Sequence, residues 1–256
     1  TDSEPLAPRP HVVIREHARD FASGVRALAR LTDGAVHVCV DAGHEPDADL
    51  GPRVAVTSFA GPHPAGLVGT HMHLLDPPVR GRTVWHVGYQ DVLSVGRLAT
   101  TGQVWDERVV ALAGPCVLRP RLLRVRLGAH IGDLVRGELR GGASRVISGS
   151  VLSGRQASGW GRHLGRFHRQ ICVVPEPGGA GTGADAGCGP ATTALGGRPG
   201  PFVPTEEFER VLPLDLLPAP LLRALAAGDD ERARQLVCLD LDDEDLALCT
   251  YVCPGK

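Results

Sequence analysis

The sequence of 256 residues predicts a mixed α/β and α+β protein: a parallel α/β domain, then a small α+β module and a helical C-terminal segment. Three observations indicate this order. Strand-like and helix-like runs alternate at first, strand-like runs then follow one another closely, and prolines interrupt a leucine-rich end. Alternating strands and helices are typical of parallel sheets. We therefore expect domains at 1–105 and 106–176, a linker at 177–204 and a C-terminal segment at 205–256.

The elements of the first domain follow from hydrophobic spacing. Four apolar residues recur at intervals of three and four and predict one face of a helix: Ala18, Phe21, Val25 and Leu28. Three runs rich in valine predict strands: 35–40, 53–59 and 83–87. A second helix is predicted from Tyr89 to near Gly102, because a glycine at this position typically ends a helix. Together these elements indicate a doubly wound sheet.

The second domain has few strands around one short helix, which is typical of a β-grasp module. ERVVALAG and RLLRVRLG predict two strands around a Gly-Pro turn, since Leu123 and Val125 alternate with arginines. A short helix is expected at 130–135. The runs RVISGSV and RQICVV predict two further strands.

The last quarter of the chain divides into a linker and helices. Residues 178–201 contain almost no bulky apolar side chain, which predicts a flexible linker or a disordered insertion. Beyond them, apolar residues at helical intervals between Phe208 and Leu248 predict helices that prolines interrupt. The cores must depend on valine, leucine and alanine, because aromatic residues make up only 4% of the chain.

Charge and hydropathy give no support for nucleic-acid binding, for binding to an anionic membrane or for a membrane-spanning segment. A net charge of −2 gives no electrostatic argument for nucleic-acid binding. No run approaches the roughly 18 consecutive apolar residues that span a bilayer. We expect a soluble chain that does not bind nucleic acid.

The segment from Gly61 to His73, GPHPAGLVGTHMH, is the strongest candidate for a functional site. Its glycines and prolines predict a shaped loop rather than regular structure. The loop would leave the carboxyl end of the strand at 53–59, where open α/β sheets bind their ligands. The candidate contact residues are Gly61, His63, Gly66, Gly69, His71 and His73.

Three interpretations of the histidines remain open. Zinc is disfavoured, because His71 and His73 would point in different directions on a strand or a helix and no acidic or cysteine ligand stands at a helical interval. The imidazoles could instead bond loop carbonyls. Alternatively, the glycines could expose backbone N–H groups to a planar or anionic ligand, with the histidines as additional donors.

Other motifs have structural explanations that we favour. Cys249 and Cys253 resemble the last two cysteines of a bacterial ferredoxin motif, but the leading pair is missing, so packing in a core or against another subunit is expected. The acidic run at 239–246 lacks the glycine and terminal glutamate of an EF-hand and is expected to cap a helix. Ser148 lies in a Gly/Ser turn region, and the sequence contains no P-loop or G-x-S-x-G motif.

Seven sequence blocks carry a resemblance to one family: GPHPAGLVGTHMH, VWHVGYQDVLSVGRLATTG, RVVALAGPCVLRPRLLR, RVISGSVLSGR, LGRFH, ERVLPLDLLP and LDDEDLALCTYVCPGK. In this order they are similar to the NqrA family, which belongs to the bacterial Na⁺-translocating NADH:quinone reductase. The resemblance covers nearly the whole chain except 178–201. It implies that the α/β domain is Rossmann-like with its first strand missing, and that the β-grasp module is SLBB-like. It also implies that an N-terminal domain and the C-terminal end are absent.

The resemblance implies a peripheral subunit on the cytoplasmic face of the bacterial inner membrane. Its partners would be the other subunits of the reductase, especially the quinone-binding membrane subunit, with ubiquinone as a further candidate ligand. The complex uses flavins and iron–sulfur centres in other subunits, with NADH and ubiquinone as substrates. This chain is expected to bind no cofactor and no metal and to have no catalytic residue of its own.

Three functional hypotheses follow. The first is a structural subunit that shapes the quinone site, with residues 61–73 as a contact. The alternative is a redox subunit that binds NADH and flavin, as in the related flavoprotein of respiratory complex I. A zinc hydrolase built on the three histidines is the third.

Overall fold

The computed structural model describes residues 1–78, 81–176, 200 and 202–255. The helices in these ranges are α1 (Pro10–Glu16), α2 (Ala18–Leu28), α3 (Val68–Leu75), α4 (Tyr89–Thr101), α5 (Ile131–Leu134), α6 (Glu207–Val211), α7 (Pro218–Ala227), α8 (Asp230–Gln235) and α9 (Ala247–Val252). The strands are β1 (Val36–Asp41), β2 (Val54–Phe59), β3 (Glu107–Ala113), β4 (Arg121–Arg126), β5 (Ser144–Ser148), β6 (Arg155–Gln156) and β7 (Gln170–Pro175). None of these helices is long and apolar enough to cross a bilayer.

The contacts divide the chain into two compact units. Unit 1 comprises Thr1–Ala60 and Val87–Thr193, and unit 2 comprises Gly61–His86 and Ala194–Lys256. Segment 61–86 therefore groups with the C-terminal segment, although it lies within the predicted first domain. The four sequence ranges remain a prediction of domain boundaries. The predicted linker at 177–204 lies largely outside the described residues.

The α/β part of unit 1 is built on a parallel pair of strands, as predicted. β1 and β2 pair in register from Val36 opposite Val54 to Asp41 opposite Phe59. Phe21 and Val25 of α2 are buried with Leu93 of α4 in one hydrophobic core. The predicted helical spacing is thus confirmed for α2.

Two glycines set how closely α2 and α4 approach each other. A Cβ atom at Gly96 would lie 1.7 Å from the carbonyl oxygen of Asp20, and one at Gly24 would lie 2.0 Å from that of Val92. These distances are far below van der Waals contact, so the two helix backbones touch directly. α4 ends at Gly102, which has a φ of +70° in the left-handed region, as the sequence predicts.

The predicted strand at 83–87 is wrong. This segment is irregular in the structure, and Trp85 and Val87 are 87% and 45% exposed. The alternation of apolar and polar residues is real, but no neighbouring strand in the described ranges covers its apolar side chains. Alternation predicts a strand only where one face is buried.

The β-grasp module forms a five-stranded sheet in the order β4-β3-β7-β5-β6. β3 pairs antiparallel with β4 and parallel with β7, and β7 pairs antiparallel with β5. Ile131 of the short helix α5 is buried against Val110, Ile171 and Val173. The predicted strands and the single short helix are therefore confirmed.

Gln90 joins the α/β part to the β-grasp module. Its buried side-chain amide donates to the carbonyl of Val109 (2.7 Å) and accepts from the N–H of the same residue (2.8 Å). Buried Arg108 donates to the Gln90 carbonyl and pairs with Asp91. Since β3 begins here, the first turn of α4 fixes where the second domain starts.

Unit 2 is helical in its C-terminal part, as predicted. One core surrounds Phe208, Leu212 and Cys249, and a second surrounds Leu221 and Ala224 of α7. α7 begins at Pro218, where a missing N–H costs nothing, and ends at Gly228 in the left-handed conformation.

Candidate functional site

The candidate segment Gly61–His73 is a turn followed by a helix, not a continuous loop. Residues 61–66 form turns that include a cis peptide bond between His63 and Pro64, and α3 begins at Val68. The prediction that the whole segment is irregular is wrong from Val68 onward. Glycine disfavours a helix, yet Gly69 is a buried residue of α3. The side chain of Asp245 lies so close that a Cβ atom at this position would not fit.

His71 is buried and bonds within its own segment. Its ring Nε2–H donates to the carbonyl oxygen of Ala65, at 2.9 Å. The imidazole ties α3 back to the preceding turn, six residues earlier. This is the contact expected if the histidines bond loop carbonyls.

His73 joins α3 to the C-terminal segment within unit 2. Its Nε2 accepts a hydrogen bond from the backbone N–H of Asp215 (3.1 Å), so the proton of the neutral ring is on Nδ1. Nδ1 lies 3.4 Å from the carboxylate of Asp240, and the His73 side chain is only 12% exposed. One imidazole thus contacts two segments of the C-terminal part.

Gly69 makes room for the carboxyl group of Asp245. A Cβ atom at Gly69 would lie 1.8 Å from Oδ2 of Asp245, which is itself 2% exposed. Burial raises the pKa of Asp245, and the backbone N–H of Asp242 donates to its carboxyl at 2.9 Å. Asp242 and Asp245 together form a capping box, so the capping role predicted for the acidic run is confirmed.

The six predicted contact residues do not share one surface. Gly61 is exposed and has a φ of +142°, which favours glycine, whereas His63 and Gly66 are half-buried. Gly69 and His71 are buried. The exposed apolar side chain of α3 is Leu74, which is 59% exposed and which no sequence motif marks.

The acidic partners of α3 were also missed. Asp215, Asp240 and Asp245 lie more than 140 positions from the histidine segment, and a single sequence has no signal for such a pairing. Only the density of acids at 239–246 marked the region. The acidic run was correctly interpreted as a helix cap, but that interpretation does not show that Asp245 packs against Gly69.

The donor groups of unit 2 do not fit a metal ion or an iron–sulfur cluster. Within the described residues, no three histidine, cysteine, aspartate or glutamate side chains are placed to share a metal ion. Burial raises the pKa of Cys249 to about 11, which keeps it a thiol, and the thiol of Cys253 donates to the carbonyl of Gly255 (2.7 Å). Both cysteines pack in or against the core around Phe208.

Ser148 is a structural residue as well. It is fully buried; its hydroxyl is hydrogen-bonded to Nδ1 of His168 (2.7 Å) and accepts from the N–H of Gly165 (3.1 Å). Burial, aided by Arg155 and Arg169, lowers the pKa of His168 and keeps the ring neutral. The pair fastens the loop after β6 to the sheet.

The fold defines a class of protein with an α/β domain, a β-grasp module and a separate helical unit, in which His71 and His73 bond backbone groups of that unit. Two family models match the chain in this order. The model described as the NqrA second alpha/beta domain matches residues 1–104, and the one described as the NQRA C-terminal domain matches residues 109–159. The chain belongs to the NqrA family.

Curated relatives agree with this assignment. The NqrA protein of the Na(+)-translocating NADH-quinone reductase from Serratia proteamaculans is 49% identical over 282 residues, which cover 100% of this chain and 61% of the relative. The corresponding proteins from Cellvibrio japonicus and Glaesserella parasuis are 49% and 47% identical, each with 62% of its length covered. The chain therefore spans about three fifths of the length of these relatives.

Proposed function

We propose that this chain belongs to a peripheral subunit of a Na⁺-translocating NADH:ubiquinone reductase and supports electron transfer from NADH to ubiquinone coupled to Na⁺ export. Membership of the NqrA family and the names of the relatives support this proposal. The protein would lie on the cytoplasmic face of the bacterial inner membrane. The other subunits of the reductase, above all the quinone-binding membrane subunit, would hold it there.

In this proposal the chain carries no redox centre and shapes a partner or quinone contact. The observation that carries it is the way helix α3 is held. His73 and Gly69 fix α3 against the acidic C-terminal segment, and Leu74 on the same helix stays 59% exposed. An apolar side chain on a rigidly held helix is suited to a partner contact, because little conformational entropy is lost on binding.

A pair of surface substitutions tests this role. Leu74→Glu is made in the assembled reductase, with Leu239→Glu as the matched control, since Leu239 is a leucine of unit 2 with a similar exposure of 62%. Leu74→Glu is expected to weaken assembly with the other subunits or raise the KM for ubiquinone several-fold. Reduction of the flavins by NADH should be unchanged. Equal effects of both substitutions, or none from either, would refute the contact.

His73→Ala distinguishes a structural role of His73, which holds α3 in place, from direct contact of His73 with the quinone. The substitution leaves the N–H of Asp215 without its acceptor and removes the imidazole beside the buried Asp240 carboxyl, which costs about 1–3 kcal/mol of stability. We expect a lower thermal midpoint together with altered quinone kinetics. Altered kinetics with an unchanged midpoint would instead make His73 a direct ligand of the quinone.

A further inference from the structure

The charge of this chain is strongly segregated along the sequence. Residues 106–176 contain twelve arginines against five carboxylates, a net charge of +7 with neutral histidines. Residues 205–256 contain twelve carboxylates against five basic residues, a net charge of −7. The β-grasp module thus carries an excess of positive charge within a chain of net charge −2. Such an excess of charge attracts polyanionic partners.

Two large aromatic side chains protrude from one loop of this basic module. In residues 155–168, which we call the aromatic loop, Trp160 is 85% exposed and Phe167 is 76% exposed. An arginine lies over each ring: the guanidinium of Arg155 is 5.1 Å from the Trp160 ring, and that of Arg166 is 5.2 Å from the Phe167 ring. Each ring thus combines an exposed apolar surface with an adjacent positive charge.

The aromatic loop is fastened to the module behind its exposed tips. Leu164 is buried in the β-grasp core, and its N–H donates to the carbonyl of Ala129 at 2.9 Å. The carbonyl of Arg162 accepts from the N–H of Ile131 at 3.0 Å. Ser148 holds both Gly165 and His168. The rings are therefore presented on a preorganised backbone.

Two arginines of the aromatic loop have no ion-pair partner among the residues that the structure describes, whereas Arg166 pairs with Asp91 at 2.8 Å. Arg155 and Arg162 are exposed, and neither forms an ion pair with a residue that the structure describes. Arg162 donates only to the carbonyl of Gly159, at 2.9 Å. Two guanidinium groups beside protruding Trp160 are thus available to an external anion.

We propose that the aromatic loop is a membrane-contacting element that inserts Trp160 and Phe167 into the interfacial region of an anionic phospholipid bilayer. Tryptophan favours the boundary between headgroups and acyl chains, and adjacent arginines bind the phosphates of the headgroups. A bilayer suits the loop better than an enclosing protein groove, because both rings are largely exposed and the charges beside them are positive. The basic module supplies the long-range attraction.

Vesicle binding of the 256-residue chain tests the proposal. Phosphatidylcholine vesicles with about one third phosphatidylglycerol are expected to bind the chain at low salt, whereas pure phosphatidylcholine vesicles are not. The double variant Arg155→Gln/Arg162→Gln should lower the partition coefficient about 25-fold, since one basic residue near such a surface is worth about fivefold. Trp160→Ala should lower it roughly tenfold.

A matched control separates the loop from exposed aromatics in general. Trp85, in unit 2, is 87% exposed, and Trp85→Ala is expected to leave vesicle binding unchanged. In Trp85→Phe, brominated acyl chains should quench the emission of Trp160, since Trp105 is buried. Circular dichroism of each variant checks that it is folded.

Three results would overturn the proposal. One is equal binding to anionic and neutral vesicles, and another is an equal loss for Trp85→Ala and Trp160→Ala. The third result has two parts: the unsubstituted chain does not bind vesicles, and Trp160→Ala causes loss of partner subunits from the assembled reductase. That outcome would assign the loop to an acidic protein surface instead.

Discussion

Replacing Gly96 by alanine is expected to force helices α2 and α4 apart. The added Cβ atom would lie 1.7 Å from the carbonyl oxygen of Asp20 and 2.7 Å from the backbone nitrogen of Gly24. Both are main-chain atoms, so no side chain can rotate away. Relief requires α4 to move by about 2 Å, the difference between 1.7 Å and an ordinary contact of about 3.5 Å.

Two opposing terms determine the size of the effect. Alanine is better than glycine in a helix by about 1 kcal/mol, so Gly96→Ala would stabilise an isolated helix. Separation of the helices loosens the packing of Phe21, Val25 and Leu93, all at most 5% exposed. Overpacking costs about 1–3 kcal/mol, and partial loss of these core contacts adds a similar amount. We expect a net loss of about 3 kcal/mol in the free energy of unfolding.

Thermal unfolding followed by circular dichroism measures this loss. About 3 kcal/mol corresponds to a decrease of about 6–12 °C in Tm for a chain of this size. Gly141→Ala is the control, because a Cβ atom at Gly141 would meet nothing within 4 Å. Its Tm should be unchanged or slightly higher. An unchanged or raised Tm for Gly96→Ala would show that the two backbones are not in contact.

Three further predictions concern buried groups. Gln90→Ala removes the side chain that bonds the N–H and the carbonyl of Val109 and should lower the free energy of unfolding in urea by about 2–4 kcal/mol. Gln103 is exposed, so Gln103→Ala should cost nothing measurable. Equal urea midpoints for the two variants would contradict the role of the Gln90 amide. The folded-state pKa of His168 lies below its ordinary value of 6.5, so the folded chain binds fewer protons than the unfolded chain and its stability should fall as pH drops below 6.5. His168→Gln should flatten this pH dependence. A variant with the same pH profile as the unsubstituted chain would show that His168 is not its source. Cys249 has a pKa of about 11 and is 2% exposed, so it should resist iodoacetamide in the folded chain and react once the chain is unfolded. Rapid alkylation of Cys249 in the folded chain would show that the thiol is accessible.

Local periodicity predicted most elements of unit 1. The spacing of Phe21 and Val25 predicted α2, and valine-rich runs predicted β1 and β2, because these patterns follow directly from which face is buried. Such reasoning failed at residues 83–87, where alternation occurs without burial. It failed again at α3, where Gly69 counted against a helix although its small size serves the contact with Asp245.

The candidate site remains a prediction, and the sequence did not reveal how its side chains are oriented. Sequence marked residues 61–73, but it could not show that His71 and His73 face inward or that Leu74 faces outward. The orientation of His73 depends on a partner more than 140 positions away, whereas His71 bonds the carbonyl of Ala65 only six residues earlier. The exposed rings of Trp160 and Phe167 were missed for another reason, since the net charge of −2 conceals a basic module. Counting charge for each predicted domain would have marked it.

The junction made by Gln90 has a consequence for how this family can vary. The side-chain amide of Gln90 bonds the N–H and the carbonyl of Val109 and so recognises a peptide group, and every residue except proline presents the same peptide group. Substitutions of the side chain at 109 therefore leave the joint intact, whereas the glutamine itself has no close substitute. At this junction residue 109 is thus free to vary, whereas the side chains at 90 and 108 are not.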